Sequence, residues 1–214
     1  MDGKIQKDAD LVTSYLNLRK FIGILAISLP FILVIGEAIF FNANTVQPSI
    51  SDYYYTGMHD VFVGILFTFG VFLFSYKGPE PADDIAGDLA CLFAVGVALF
   101  PTTQAPEATT LIGYIHATSA SLFFLTLSYF SIVLFTKTNP DQRPTPRKLL
   151  RNRVYKICGY SMLACMALVI IYFLLPDSMQ AIVEAYKPVF VLETIMILLF
   201  GISWFIKGDG LLKD

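Results

Sequence analysis

Mostly apolar stretches alternate with short polar segments along the chain. Six of the apolar ones stand out, at roughly residues 21–41, 57–76, 85–101, 110–136, 154–175 and 187–206. Each is close to the ~20 residues that an α-helix needs to cross a hydrocarbon core of ~30 Å. The third opens on the more polar DIAGDLACLF and regains its apolar character in FAVGVALF. The pattern predicts an all-α fold: a polytopic membrane bundle of six transmembrane helices, forming a single integral membrane domain over residues 1–214. Lys4, Lys7, Arg19 and Lys20 precede the first stretch, as they would in a signal peptide. A signal h-region is only ~7–15 residues long, however, so this longer stretch reads as a first helix that stays in the protein.

Composition points the same way. The chain is 56% hydrophobic and only 15% charged, whereas a soluble domain carries about 25% charged residues. The net charge of −2 is strongly segregated, and no nucleic-acid partner is expected. Cys91, Cys158 and Cys165 all fall inside apolar runs and are expected to be buried as small hydrophobes rather than to form disulfides or metal ligands.

The charges also orient the helices. With the N-terminus inside, only Lys187 of the 15 basic residues falls on the outer side, and cytoplasmic segments are the ones enriched in Lys and Arg. The expected topology is therefore N-in/C-in, in a cell membrane of the bacterial inner-membrane kind. Tyr53, Tyr54 and Tyr55 end a first outer loop that has no basic residue, and tyrosines favour the headgroup level. The long inner loop carries Pro140, Pro144 and Pro146, which predicts an extended first half. Its basic part, 143–156, is positioned to contact anionic lipid. Pro30 is expected to kink the first helix. The small residues Gly87, Ala90, Ala94, Gly96 and Ala98, with HATSAS at 116–121, place helices three and four toward the bundle interior, because small residues let helices approach closely.

An ionisable group inside a bilayer costs at least ~2.5–3.5 kcal/mol at the helix centre, so the few present are informative. Glu37, His59, Asp60, His116 and Glu193 all fall within roughly 10 Å of the outer boundary at a rise of ~1.5 Å per residue. Asp88 lies on the inner side. Ser49, Ser51 and Asp52 lie in the loop just above. Glu37, Ser51, Asp52, His59, Asp60, His116 and Glu193 are thus the candidate lining of one outward-facing polar pocket. Each has a plainer role. Asp60 can favour a helix N-terminus and Thr56 can cap the same helix. Glu37 and Glu193 can reach headgroup water, and His116 can make an interhelical hydrogen bond. Two histidines with carboxylates, His59, His116, Asp60 and Glu193, are also a competent zinc set, although no HExxH motif or ligand pair at i and i+4 accompanies them.

The order of QPSISD after the first helix, FSYKG ending the second, IHATSASLFF in the fourth and the closing ISWFIKG resembles a family of six-span bacterial membrane proteins of unknown function. More distantly it is similar to the family of damage-regulated autophagy modulators, yeast Sfk-type proteins and GPI-anchor remodelling factors. That resemblance covers nearly the whole chain and implies a role in lipid sensing, remodelling or membrane homeostasis, with membrane lipids as partners. A weaker likeness, to the alkaline ceramidase and progestin-receptor superfamily of zinc hydrolases, meets a departure: six spans instead of seven, and Glu193 where that superfamily has an HxxxH pair. The leading expectation is a pocket that binds a lipid or small ligand. The alternatives are a metal-dependent lipid hydrolase or acyl-remodelling enzyme, and a proton-coupled transporter. The sequence does not specify an oligomeric state.

Overall fold

The structure, a computed structural model, describes residues 2–43, 45–104, 109–138, 143–208 and 211, with side chains from Thr13 onward. Seven α-helices and no strand occur among these residues: α1 (Asp2–Phe41), α2 (His59–Phe74), α3 (Pro81–Leu99), α4 (Leu111–Tyr129), α5 (Pro146–Leu174), α6 (Asp177–Val183) and α7 (Pro188–Lys207). Pro140, Lys213 and the side chains of Lys4 and Lys7 lie outside the described residues.

Local chemistry sets the helix ends. Thr110 and Thr145 cap α4 and α5, their hydroxyls accepting Gly113 N and Lys148 N at 3.1 Å each; this satisfies amides that the first turn leaves orphaned. Proline stands first in α3, α5 and α7, where a missing N–H costs nothing. α1 ends before Asn42, which takes the left-handed conformation at φ 54°, a usual C-terminal stop.

Several boundaries differ from the hydropathy pattern. α1 begins far ahead of its apolar stretch and runs unbroken through Pro30. The basic segment after the long inner loop is already helical from Pro146, so 146–153 forms the first turns of α5 instead of loop. α4 passes into a π turn, Phe130–Leu134, and the loop between α5 and α7 contains the short α6.

Four helices are long and apolar enough to cross a membrane: Thr13–Phe41, Leu111–Leu134, Pro146–Leu174 and Pro188–Lys207. They mark the chain as a membrane protein. α2 is apolar but shorter, and α3 carries Asp83, Asp84 and Asp88 in its first half. Large apolar side chains face outward along the bundle, with Phe173 and Leu174 at 62% and 78% exposure, as suits a surface whose solvent is lipid.

The six main helices pack in chain order, α1 on α2, α2 on α3, α3 on α4, α4 on α5 and α5 on α7, and α7 closes the ring against α1. α3 and α4 are therefore members of the ring, with Gly87, Ala90, Ala94 and Ala98 buried in it. Their small residues serve pairwise contacts: a Cβ on Gly87 would lie 2.5 Å from Leu73 O on α2, and one on Gly96 would lie 2.5 Å from Ser119 Oγ on α4. Ring closure depends on Gly23 and Gly201, where each added Cβ would meet the opposing glycine's carbonyl at 2.7–2.8 Å. Inside, Ile22, Ala26, Leu29 and Leu33 of α1 face Phe62, Leu66, Phe69 and Leu73 of α2 around one core. Trp204, wholly buried, gathers Tyr76, Phe130, Phe135 and Phe200 at ring separations of 5.2–6.0 Å. Cys158 and Cys165 are buried, Cys91 is partly so, and all three are free thiols.

Candidate functional site

After α1 the chain folds over one end of the ring, here called the loop end, as a tight 3₁₀ turn, Ser51–Tyr55. Ser49 builds this turn by accepting Asp52 N at 3.0 Å and donating its hydroxyl to Asp52 Oδ2 at 2.8 Å. The first turns of α7 clamp the segment twice. Phe190 N donates to Pro48 O at 3.0 Å, and Glu193 Oε2 accepts Ile50 N at 2.6 Å. On the far side, Tyr55 donates its hydroxyl to Thr102 O at 2.6 Å, tying the turn to the α3–α4 connection. Ser49, Ile50, Ser51, Asp52 and Tyr53 are all buried as a result.

His116, on α4, is buried beneath this lid. Its Nδ1 lies 2.6 Å from Phe100 O at the end of α3. A carbonyl only accepts, so Nδ1 carries the proton and Nε2 is left with its lone pair or a second proton. This is the interhelical hydrogen bond expected of His116. Asp52 is in electrostatic reach of both His116 and Glu193. Burial raises the Asp52 carboxyl above its ordinary range, and the Ser49 hydrogen bonds, His116 and Gln104 partly offset that shift.

Below the lid, between the helices, lies a cavity of about 40 Å³. Ser51 and Glu193 are its polar lining; the rest is apolar, including Leu29, Phe62, Leu66, Phe123 and Phe200. It has space for a few waters at ~10–15 Å³ each or for a slender hydrocarbon segment.

The structure thus brings Ser49, Ser51, Asp52, His116 and Glu193 together and adds Gln104. Glu37 is a neighbour on α1, buried, with Oε2 accepting Met58 N at 3.1 Å. The other two candidates lie elsewhere. His59 Nδ1 is held by Tyr54 O at 2.6 Å, with the ring packed edge-on against Tyr54 at 4.3 Å. Asp60 is exposed in the first turn of α2. Thr56 precedes the helix by more than a cap position, although its Oγ1 accepts Met58 N at 3.1 Å. His59, Asp60, His116 and Glu193 do not form a zinc cluster: among the described residues no three His, Cys, Asp or Glu side chains are placed to hold a metal ion.

Two charged features escaped the hydropathy pattern. Asp83 is wholly buried at the opposite, basic end, with Oδ2 2.9 Å from Lys137 Nζ. Its place three residues after Glu80, whose N–H it accepts at 3.3 Å, is a capping-box spacing and was a legible clue. Arg19 and Lys207 also meet at that end. Compared with family models, with curated proteins and with solved structures, the chain matches none.

Proposed function

We propose that the chain is a six-span protein of a bacterial inner membrane with both termini cytoplasmic, and that its loop-end cavity takes a short hydrocarbon segment of a lipid or similar amphiphile from the extracytoplasmic side. In this reading α2 and α3 complete the set of spans as members of the closed ring. The near-exclusive placement of Lys and Arg at the other end supports the orientation. The observation that carries the ligand assignment is the cavity itself: a small apolar cavity whose polar lining is Glu193 and Ser51, under a lid held by α7. Such a cavity suits a narrow apolar body, and a carboxyl in its wall suits a hydroxyl, amide or ammonium donor. The likeness to lipid-remodelling families points to the same chemistry.

Organic extraction of the purified protein followed by mass spectrometry tests the reading. Wild type should release a stoichiometric amphiphile, and Ala120→Phe, which fills the cavity from its wall, should release little or none. Wild type without bound amphiphile, or retention unchanged in Ala120→Phe, would overturn it.

A further inference from the structure

At the basic end of the ring, α7 finishes directly on α1: a Cβ on Gly208 would lie 2.7 Å from Lys20 N and 2.8 Å from Leu16 O. This brings Arg19 of α1 and Lys207 of α7 to the lip of the same aromatic cluster. The Arg19 guanidinium lies over Tyr15 at 4.2 Å and over Tyr76 at 5.1 Å, and Lys207 Nζ lies 5.1 Å over Phe135. Tyr76 and Phe135 both pack on Trp204, at 5.2 and 5.3 Å. The two cations are in electrostatic reach of each other, and Lys207 also of Lys148 and Arg151.

Like charges are gathered here at the edge of an apolar core. Neither Arg19 nor Lys207 makes an ion pair among the described residues. The acidic group in reach, Asp83, holds Lys137 at 2.9 Å through Oδ2, and its Oδ1 is buried with no hydrogen-bond partner. Arg19 Nε is moreover buried with no acceptor. A partly buried cation is stabilised by a paired anion, and an unpaired buried donor costs its full desolvation. A tetrahedral oxyanion meets both needs, because guanidinium offers a fork of donors and ammonium a mobile point charge.

We propose that Arg19 and Lys207 form a binding site for a phosphate group at the basic end of the bundle, supplied either by the headgroup of an anionic lipid in the adjoining leaflet or by a soluble phosphate. The site is independent of the cavity at the loop end, about 40 Å³ in volume. It also differs from diffuse attraction to the basic start of α5, because two named side chains on two helices carry it.

The test uses the full chain in nanodiscs of phosphatidylcholine with and without phosphatidylglycerol. Affinity is read by native mass spectrometry and thermal unfolding is followed alongside. Diffuse surface attraction is about 1 kcal/mol per basic residue, roughly a fivefold loss for any single neutralisation. Lys156→Gln, exposed on α5, supplies that baseline. Arg19→Gln and Lys207→Gln should each lose more, about tenfold or beyond, while Lys207→Arg stays near wild type. Adding inorganic phosphate to phosphatidylcholine discs identifies the source. Stabilisation by phosphate that both Gln variants abolish marks a soluble ligand; stabilisation only by phosphatidylglycerol marks the lipid. Equal losses in Arg19→Gln, Lys207→Gln and Lys156→Gln, or no response to either anion, would overturn the proposal.

Discussion

The Glu193 carboxylate and the Ile50 amide, 143 positions apart in the chain, meet at 2.6 Å. This hydrogen bond joins the last long helix to the loop that follows the first. Glu193→Ala removes the acceptor and leaves the amide without its partner, a loss of about 1–3 kcal/mol. Glu193→Gln keeps an acceptor oxygen and should cost less. Hydrogen exchange of the 49–55 segment in detergent measures the difference: protection should fall in the Ala variant and largely persist in the Gln variant. Unchanged protection in Glu193→Ala would mean the clamp contributes nothing.

Asp52 makes the loop end sensitive to pH. Burial raises its carboxyl above the ordinary value of 3.8, so the folded state holds this proton more tightly than the unfolded chain does. The stabilisation is complete below the unfolded value and is lost as pH rises through the raised folded one. The wild-type unfolding midpoint should therefore carry a downward component from about pH 3.8 upward, and Asp52→Asn should lack it. Parallel melting curves across pH 4–8, a range set about the carboxylate and histidine values, would show the difference; identical slopes for the two proteins would refute it.

Lys137 neutralises a carboxylate that has no exposure at all. Lys137→Met strands Asp83, and breaking one side of a buried pair costs about 3–5 kcal/mol. The lysine side chain keeps 26% of its exposure, so the lower part of that range is expected. The double variant Asp83→Asn/Lys137→Met should recover most of the loss, which a double-mutant cycle in thermal unfolding would resolve.

Legibility in the sequence followed the range of the physics. An apolar run such as Pro188–Lys207, matched in length to a bilayer's thickness, announces a helix without reference to any partner, so the helical membrane fold was readable. Glu193 and His116 were readable as candidates because an ionisable group in an apolar run is costly wherever it sits. His59 is a histidine near the same end of the bundle, yet its ring nitrogen is taken by Tyr54 O at 2.6 Å. That outcome depends on a 3₁₀ turn which periodicity does not encode. The π turn at Phe130–Leu134 and the early start of α5 at Pro146 are likewise set by packing against neighbours. Arg19 and Lys207 lie 188 positions apart and become neighbours only through ring closure.

That closure is itself testable at its glycines. A Cβ at Gly23 would meet Phe205 N at 2.6 Å and Gly201 O at 2.7 Å, both backbone atoms that cannot turn aside. Gly23→Ala should cost about 1–3 kcal/mol through overpacking. Gly64, also helical, has nothing within 4 Å of the same position, and Gly64→Ala should gain up to about 1 kcal/mol from helix propensity. Melting temperatures of the two variants should move in opposite directions; movement the same way would count against the close contact.

The clamp between Glu193 and Ile50 also has a consequence in time. At ~5–20 residues per second, a ribosome needs about 7–30 s to pass from one partner to the other, 143 positions later. Throughout that interval the loop is already made while its anchor is not. The nascent protein therefore carries an unfinished lid for that time, and the cavity beneath it is sealed only when α7 arrives.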